Sequence, residues 1–74
     1  MKANEAVRTV MEQKDIGVSV VAKRMGKTMR LVCDRLSMEN ISVDKLNDML
    51  RVLDYKIVLM PSDAPTPKGG FEIE

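Results

Sequence analysis

Gly26 constrains this chain more than any other residue, because Ala22 stands four positions before it and Val32 six positions after it. A glycine takes a positive φ in a tight turn where a side chain would be strained. An alanine on the preceding helix lets a second helix approach closely, and a valine on the following helix packs that helix back onto the first. The spacing predicts two short helices joined by a turn, a helix-turn-helix spanning Val18 to Leu36.

The flanking sequence supplies helices for this pair to pack on. Asn4 is a candidate cap for a first helix running to about Lys14, with Ala6, Val7, Val10 and Met11 at helical spacing and Glu5 near the positive helix end. Gly17 falls at the cap of the second helix, where Ile16 can pack against Val21 as a staple; that helix ends at Gly26. Thr28 can cap the third. Its Met29, Arg30, Cys33, Asp34 and Ser37 share one side, while Val32 and Leu36 lie near the other. Ser42 can cap a fourth helix with Val43, Leu46, Met49, Leu50 and Leu53 facing inward and Asp44 near its start. Four helices account for residues 4–53.

Tyr55 to Met60 differs in kind, a run of apolar and β-branched residues that follows Asp54 and stops at Pro61, as a strand would. One strand has no ladder partner, and no second comparable strand is present in the chain. The economical solution is the same strand from a second copy, which predicts a homodimer joined through Tyr55, Ile57, Val58, Leu59 and Met60. Residues 61–74 contain three prolines and the pair Gly69-Gly70, and read as a flexible tail. Phe71 and Ile73 alternate with glutamates there, a pattern that fits either a short edge strand or a frayed end. The expected organisation is one helix-turn-helix domain over residues 1–60, closed by the dimerisation strand, followed by the tail.

Composition removes several classes of function. One cysteine and no histidine exclude an internal disulfide, a multi-ligand zinc site and histidine-dependent catalysis, and they suit a reducing cytoplasm. No nucleophile with a partnering base, no paired carboxylates and no phosphate loop is evident, so neither an enzyme nor a cofactor is expected. No stretch has membrane-spanning length, the first ten residues lack the apolar core of a secretory signal, and the expected location is the cytoplasm. The seven methionines, spread through the chain, read as adaptable core filler.

The net charge is only +1, but it is unevenly placed. From Lys23 to Arg35 there are five cations (Lys23, Arg24, Lys27, Arg30, Arg35) against Asp34 alone; elsewhere seven cations face ten carboxylates. Binding responds to the local field, and the positive region coincides with the helix-turn-helix, which points to double-stranded DNA. The plain alternative is that these cations only solvate a helix surface.

The stretch GVSVVAKRMGKTMRLVCDRL resembles the helix-turn-helix of the lambda-repressor-like, Xre-type and Cro-like regulators of bacteria and phages, through Ile16, Val21, Ala22, Lys23, Arg24, Met25, Gly26, Thr28 and Val32. The likeness extends through SVDKLNDMLRVLDYKIVLMP to cover about Ala3 to Pro61. It implies a mainly α fold, a lambda-repressor-like four-helix domain followed by a C-terminal β-strand that pairs with a second subunit. It also implies inverted-repeat operators and, for antitoxin-like members, a toxin as a further protein partner. Val18 stands where many members carry a phosphate-contacting glutamine, and Arg35 where an apolar residue is usual.

On that reading the third helix enters a major groove, where base edges show distinct donor and acceptor patterns. Arg30 is the leading base reader, because its planar fork can bond guanine bidentately. Lys23 and Lys27 suit phosphates, and Thr28 can serve through its hydroxyl and the adjacent helix N-terminus. Met29 can touch a thymine methyl or tuck into the core. Cys33 lies where the family tends to place small polar readers, or is an inert, half-buried thiol. Asp34 can accept from a cytosine amino group or hold Arg30 across one turn, and Arg35 can snorkel along the core toward the DNA backbone or mark a rotated helix. The function expected is a homodimeric, sequence-specific transcriptional regulator, repressor or antitoxin-like. A protein-interaction module on the same scaffold, with no DNA contact, is the alternative.

Overall fold

The computed structural model describes residues 1–74. Four helices follow in order: α1 (Ala3–Gln13), α2 (Val18–Met25), α3 (Met29–Leu36) and α4 (Val43–Arg51). Helix α2 packs chiefly on α3, and α1 closes the core by touching both α3 and α4. The interior is wholly apolar: Val7, Val10, Val21, Val32, Leu36, Met49 and Leu53 have at most 2% of their surface exposed. They come from all four helices and the turn after α4, so no helix pair buries its apolar stripe alone.

The helix starts are where their capping residues place them, with one exception. Thr28 Oγ accepts from the Leu31 N–H at 3.2 Å, and Ser42 Oγ accepts from the Lys45 N–H at 3.3 Å. Asn4, expected as the cap of α1, lies inside the helix, and Lys2 occupies the cap position. The earlier start buries Ala3. It also frees Asn4 Nδ2 to donate to Leu36 O at 3.0 Å, and the Lys2 N–H finds its acceptor in Glu5 Oε1 at 2.9 Å. Val43, expected on the inner face of α4, is 67% exposed, because the first position of that helix projects beyond the core.

Three helices end in the left-handed region: after α1 at Asp15 (φ 55°), at Gly26 (φ 69°) and after α4 at Asp54 (φ 62°). At each, the next N–H reaches back five residues, from Ile16 to Met11 O, from Lys27 to Ala22 O and from Tyr55 to Leu50 O, at 2.8, 2.9 and 2.9 Å. This is the Schellman closure, which satisfies carbonyls that the helix leaves open. No helix is long and apolar enough to cross a membrane.

The mainly α class holds, but the C-terminal strand does not appear within the chain. Tyr55 to Met60 form no ladder, and no main-chain hydrogen bond reaches any residue from Lys56 to Met60. The physical reason is the absence of any second segment within the chain to pair with. Residues 61–74 lack regular structure, as expected of a tail, yet they lie back against the body. Phe71 packs on the core margin with its ring 6.2 Å from that of Tyr55, and Tyr55 Oη donates to Gly69 O at 3.1 Å. Glu74 Oε1 accepts from the Met1 ammonium at 2.7 Å. That hydrogen bond first, and the charge of the ammonium second, hold the Glu74 carboxyl below the usual carboxylate range.

Candidate nucleic-acid interface

The turn at Gly26 fixes how α3 is presented. No atom lies within 4 Å of the place where a Cβ would stand on Gly26, so the requirement for glycine there is conformational, not a matter of space. Ala22 beneath the turn is 2% exposed and Val32 is fully buried. With Val32 and Leu36 turned inward, the opposite side of α3 is open: Met29, Arg30, Cys33, Asp34 and Ser37 are all exposed, with Met29 53% open. Met29 therefore does not tuck into the core, and Cys33 is an exposed free thiol.

The five cations of the basic window divide into two groups. Lys23, Lys27 and Arg30 are exposed, and their side chains make no ion pair or hydrogen bond within the chain. Arg24 instead donates through Nη1 to Val52 O at 3.0 Å, stitching α2 to the carbonyl end of α4. Arg35 is half-buried; its Nη1 donates to Lys45 O at 3.4 Å and lies 3.8 Å from Asp48 Oδ2. Leu36, at 2% exposed, fills the interior beside it. The Arg35 stem runs beside α4 and its charge is spent there. Asp34 forms no ion pair with Arg30, so the positioning role considered for it is absent, and its carboxylate faces solvent on the same side as Arg30.

A shallow depression runs beside α3, bordered by Thr28, Arg30, Asp34, Met38 and Lys45. Lys45, in the first turn of α4, was not among the residues singled out from the sequence. A signal for it existed: a cation in the first turn opposes the helix dipole, so helix stability does not explain its place. At the other end of α3, Leu36 O accepts from Asn4 Nδ2 and from Arg8 Nη2 at 3.2 Å, which anchors the helix to α1. Val18 is half-buried against the core margin.

Tyr55, Ile57, Val58, Leu59 and Met60 do not border that depression. Tyr55 is half-buried with Lys14 Nζ 5.8 Å from its ring centre, while Ile57, Val58, Leu59 and Met60 are 39, 59, 97 and 46% exposed. No three histidine, cysteine or acidic side chains come close enough to hold a metal ion. No protein-family model, curated protein or solved structure matches this chain.

Proposed function

We propose that this chain is a small cytoplasmic DNA-binding regulator of the lambda-repressor-like, Xre-type kind, repressor or antitoxin-like, working as a homodimer on an inverted-repeat operator. The observation that carries the reading is the open side of α3, where Arg30 and its neighbours project from a helix capped at its start by Thr28 and bonded to α1 at its end, flanked by cations whose side chains have no partner in the chain. Arg30 reads a guanine through its fork, Met29 and Cys33 add contacts to base edges, and Lys23, Lys27 and Lys45 neutralise phosphates. Thr28 offers its hydroxyl and the first amides of α3 to a phosphate. Asp34 then faces a cytosine amino group, the role left to it once pairing with Arg30 is absent. Arg35 contributes by holding α3 to α4.

The second reading, a protein-interaction module, draws support from the same census. Two of the five window cations are consumed internally, and the net charge is +1. Salt titration of duplex binding separates the two. For the regulator, log affinity falls against log salt with a slope of about 0.9 per phosphate neutralised, and Arg30→Ala costs about 1–3 kcal/mol at one base position and relaxes preference there. A protein adaptor shows no duplex binding above background at any salt, and Arg30→Ala changes nothing on DNA.

A further inference from the structure

We propose that residues 66–74 are an intramolecular brace that sets the arm Lys56–Met60 for antiparallel pairing with a second copy of this chain. The inference rests on the dimeric reading above and adds to it a role for the tail.

The arm leaves the body at Tyr55, which is held from several directions. Its N–H donates to Leu50 O at 2.9 Å, its hydroxyl donates to Gly69 O at 3.1 Å, and its ring lies between Lys14 Nζ and the Phe71 ring. The return path is equally shaped. Gly70 N–H donates to Pro67 O at 2.9 Å, and Gly69 between them has φ 83°, as the third position of a type II turn requires. Thr66 Oγ1 donates to Glu72 Oε1 at 2.7 Å, and Phe71 is seated on the core margin. Tyr55 and Phe71 thus close a loop whose two ends are fixed while its outer arm is free.

That arm combines two properties that call for the same occupant. Every main-chain donor and acceptor from Lys56 to Met60 is without a partner in the chain, and four consecutive apolar side chains stand open beside them, Leu59 at 97%. A second arm of the same sequence answers both, bonding the alternate donors and acceptors that face it and covering the apolar side chains, and a two-fold axis through Val58 pairs Lys56 with Met60 and Ile57 with Leu59 in both copies. Pro61, which has no N–H, ends the ladder at the same place in each. The only charge in the arm favours this direction: antiparallel pairing holds the two Lys56 ammoniums at opposite ends, whereas parallel pairing sets them side by side. Holding both ends of the loop reduces the freedom lost on pairing, so the brace strengthens association without touching the partner.

Sedimentation equilibrium of the full chain, of Tyr55→Phe, of Phe71→Ala and of a chain ending at Ala64 tests this. The full chain should dimerise, with alternate amides between Lys56 and Met60 slowed in hydrogen exchange only at concentrations where the dimer forms. Tyr55→Phe keeps the ring and loses the bond to Gly69; it should weaken the dimer several-fold, and Phe71→Ala or truncation on the order of tenfold or more, with helical circular dichroism retained. A full-length dimer whose dissociation constant is unchanged, or lowered, in Tyr55→Phe and in the truncated chain overturns the brace and leaves the dimer standing. A full chain that stays monomeric overturns the dimeric reading, and the brace with it.

Discussion

At the scale of single residues, the helix ends divide into one glycine and two aspartates performing the same task. Gly26 takes its left-handed conformation without strain, whereas Asp15 and Asp54 carry a Cβ there, and Asp54 also sets a negative charge at the carbonyl end of α4. Gly26→Ala should therefore lower stability by about 1–2 kcal/mol in urea unfolding with an unchanged slope, the cost of a Cβ at positive φ. Asp54→Gly should raise it by about 0.5–1 kcal/mol, because strain and end-charge repulsion are relieved together. The same pair explains what the sequence could disclose. Gly26 announces its own conformation, since glycine is the usual residue there. Aspartate is a common cap and turn residue, so nothing in its type tells which two of six aspartates bend the chain left-handedly. Asn4 misled for a related reason: its amide favours caps, but the gain from burying Ala3 and bonding Leu36 O started the helix earlier.

At the scale of elements, the sides of α2 and α3 were legible because periodicity places Ala22, Val32 and Leu36 together whatever the exact crossing of the helices. The partition of the cations was not, since it depends on which carbonyls the neighbouring helix brings within reach. Arg24 meets the end of α4 and Arg35 meets Lys45 O, whereas Lys23 and Lys27 meet nothing. If Arg35 serves the α3–α4 joint, Arg35→Leu should change stability by less than about 1 kcal/mol, as expected for a long, partly exposed pair, and should leave the salt slope of duplex binding as it was. Lys45→Gln should do the reverse, raising stability slightly, by about 0.3–1 kcal/mol as the cation leaves the positive end of α4, and reducing the slope by roughly 0.9 for each subunit bound. Loss of slope in the first variant and not the second would exchange their roles.

At the scale of the whole molecule, thirteen buried residues hold the fold, a small interior for a chain of this length, so a second copy is a natural source of further burial. Tyr55 to Met60 are strand-like in composition yet form no strand, because a ladder needs a second segment that composition does not supply. A dimer reading an inverted repeat needs both recognition helices on one side of the duplex, at half-sites separated by about one turn, roughly 34 Å. Inserting about five base pairs between the half-sites should rotate one to the far side and reduce affinity to that of a single half-site in a gel-shift titration, while inserting about ten should restore much of it. The uneven placement of charge bears on how such a molecule reaches its site. Positive around the turn and negative over the remainder, the body carries a dipole moment out of proportion to its near-zero total, so a polyanion exerts torque on it before it exerts much pull. On the regulator reading, encounters with a duplex would be sorted by orientation, a molecule arriving wrong way round being repelled without lingering.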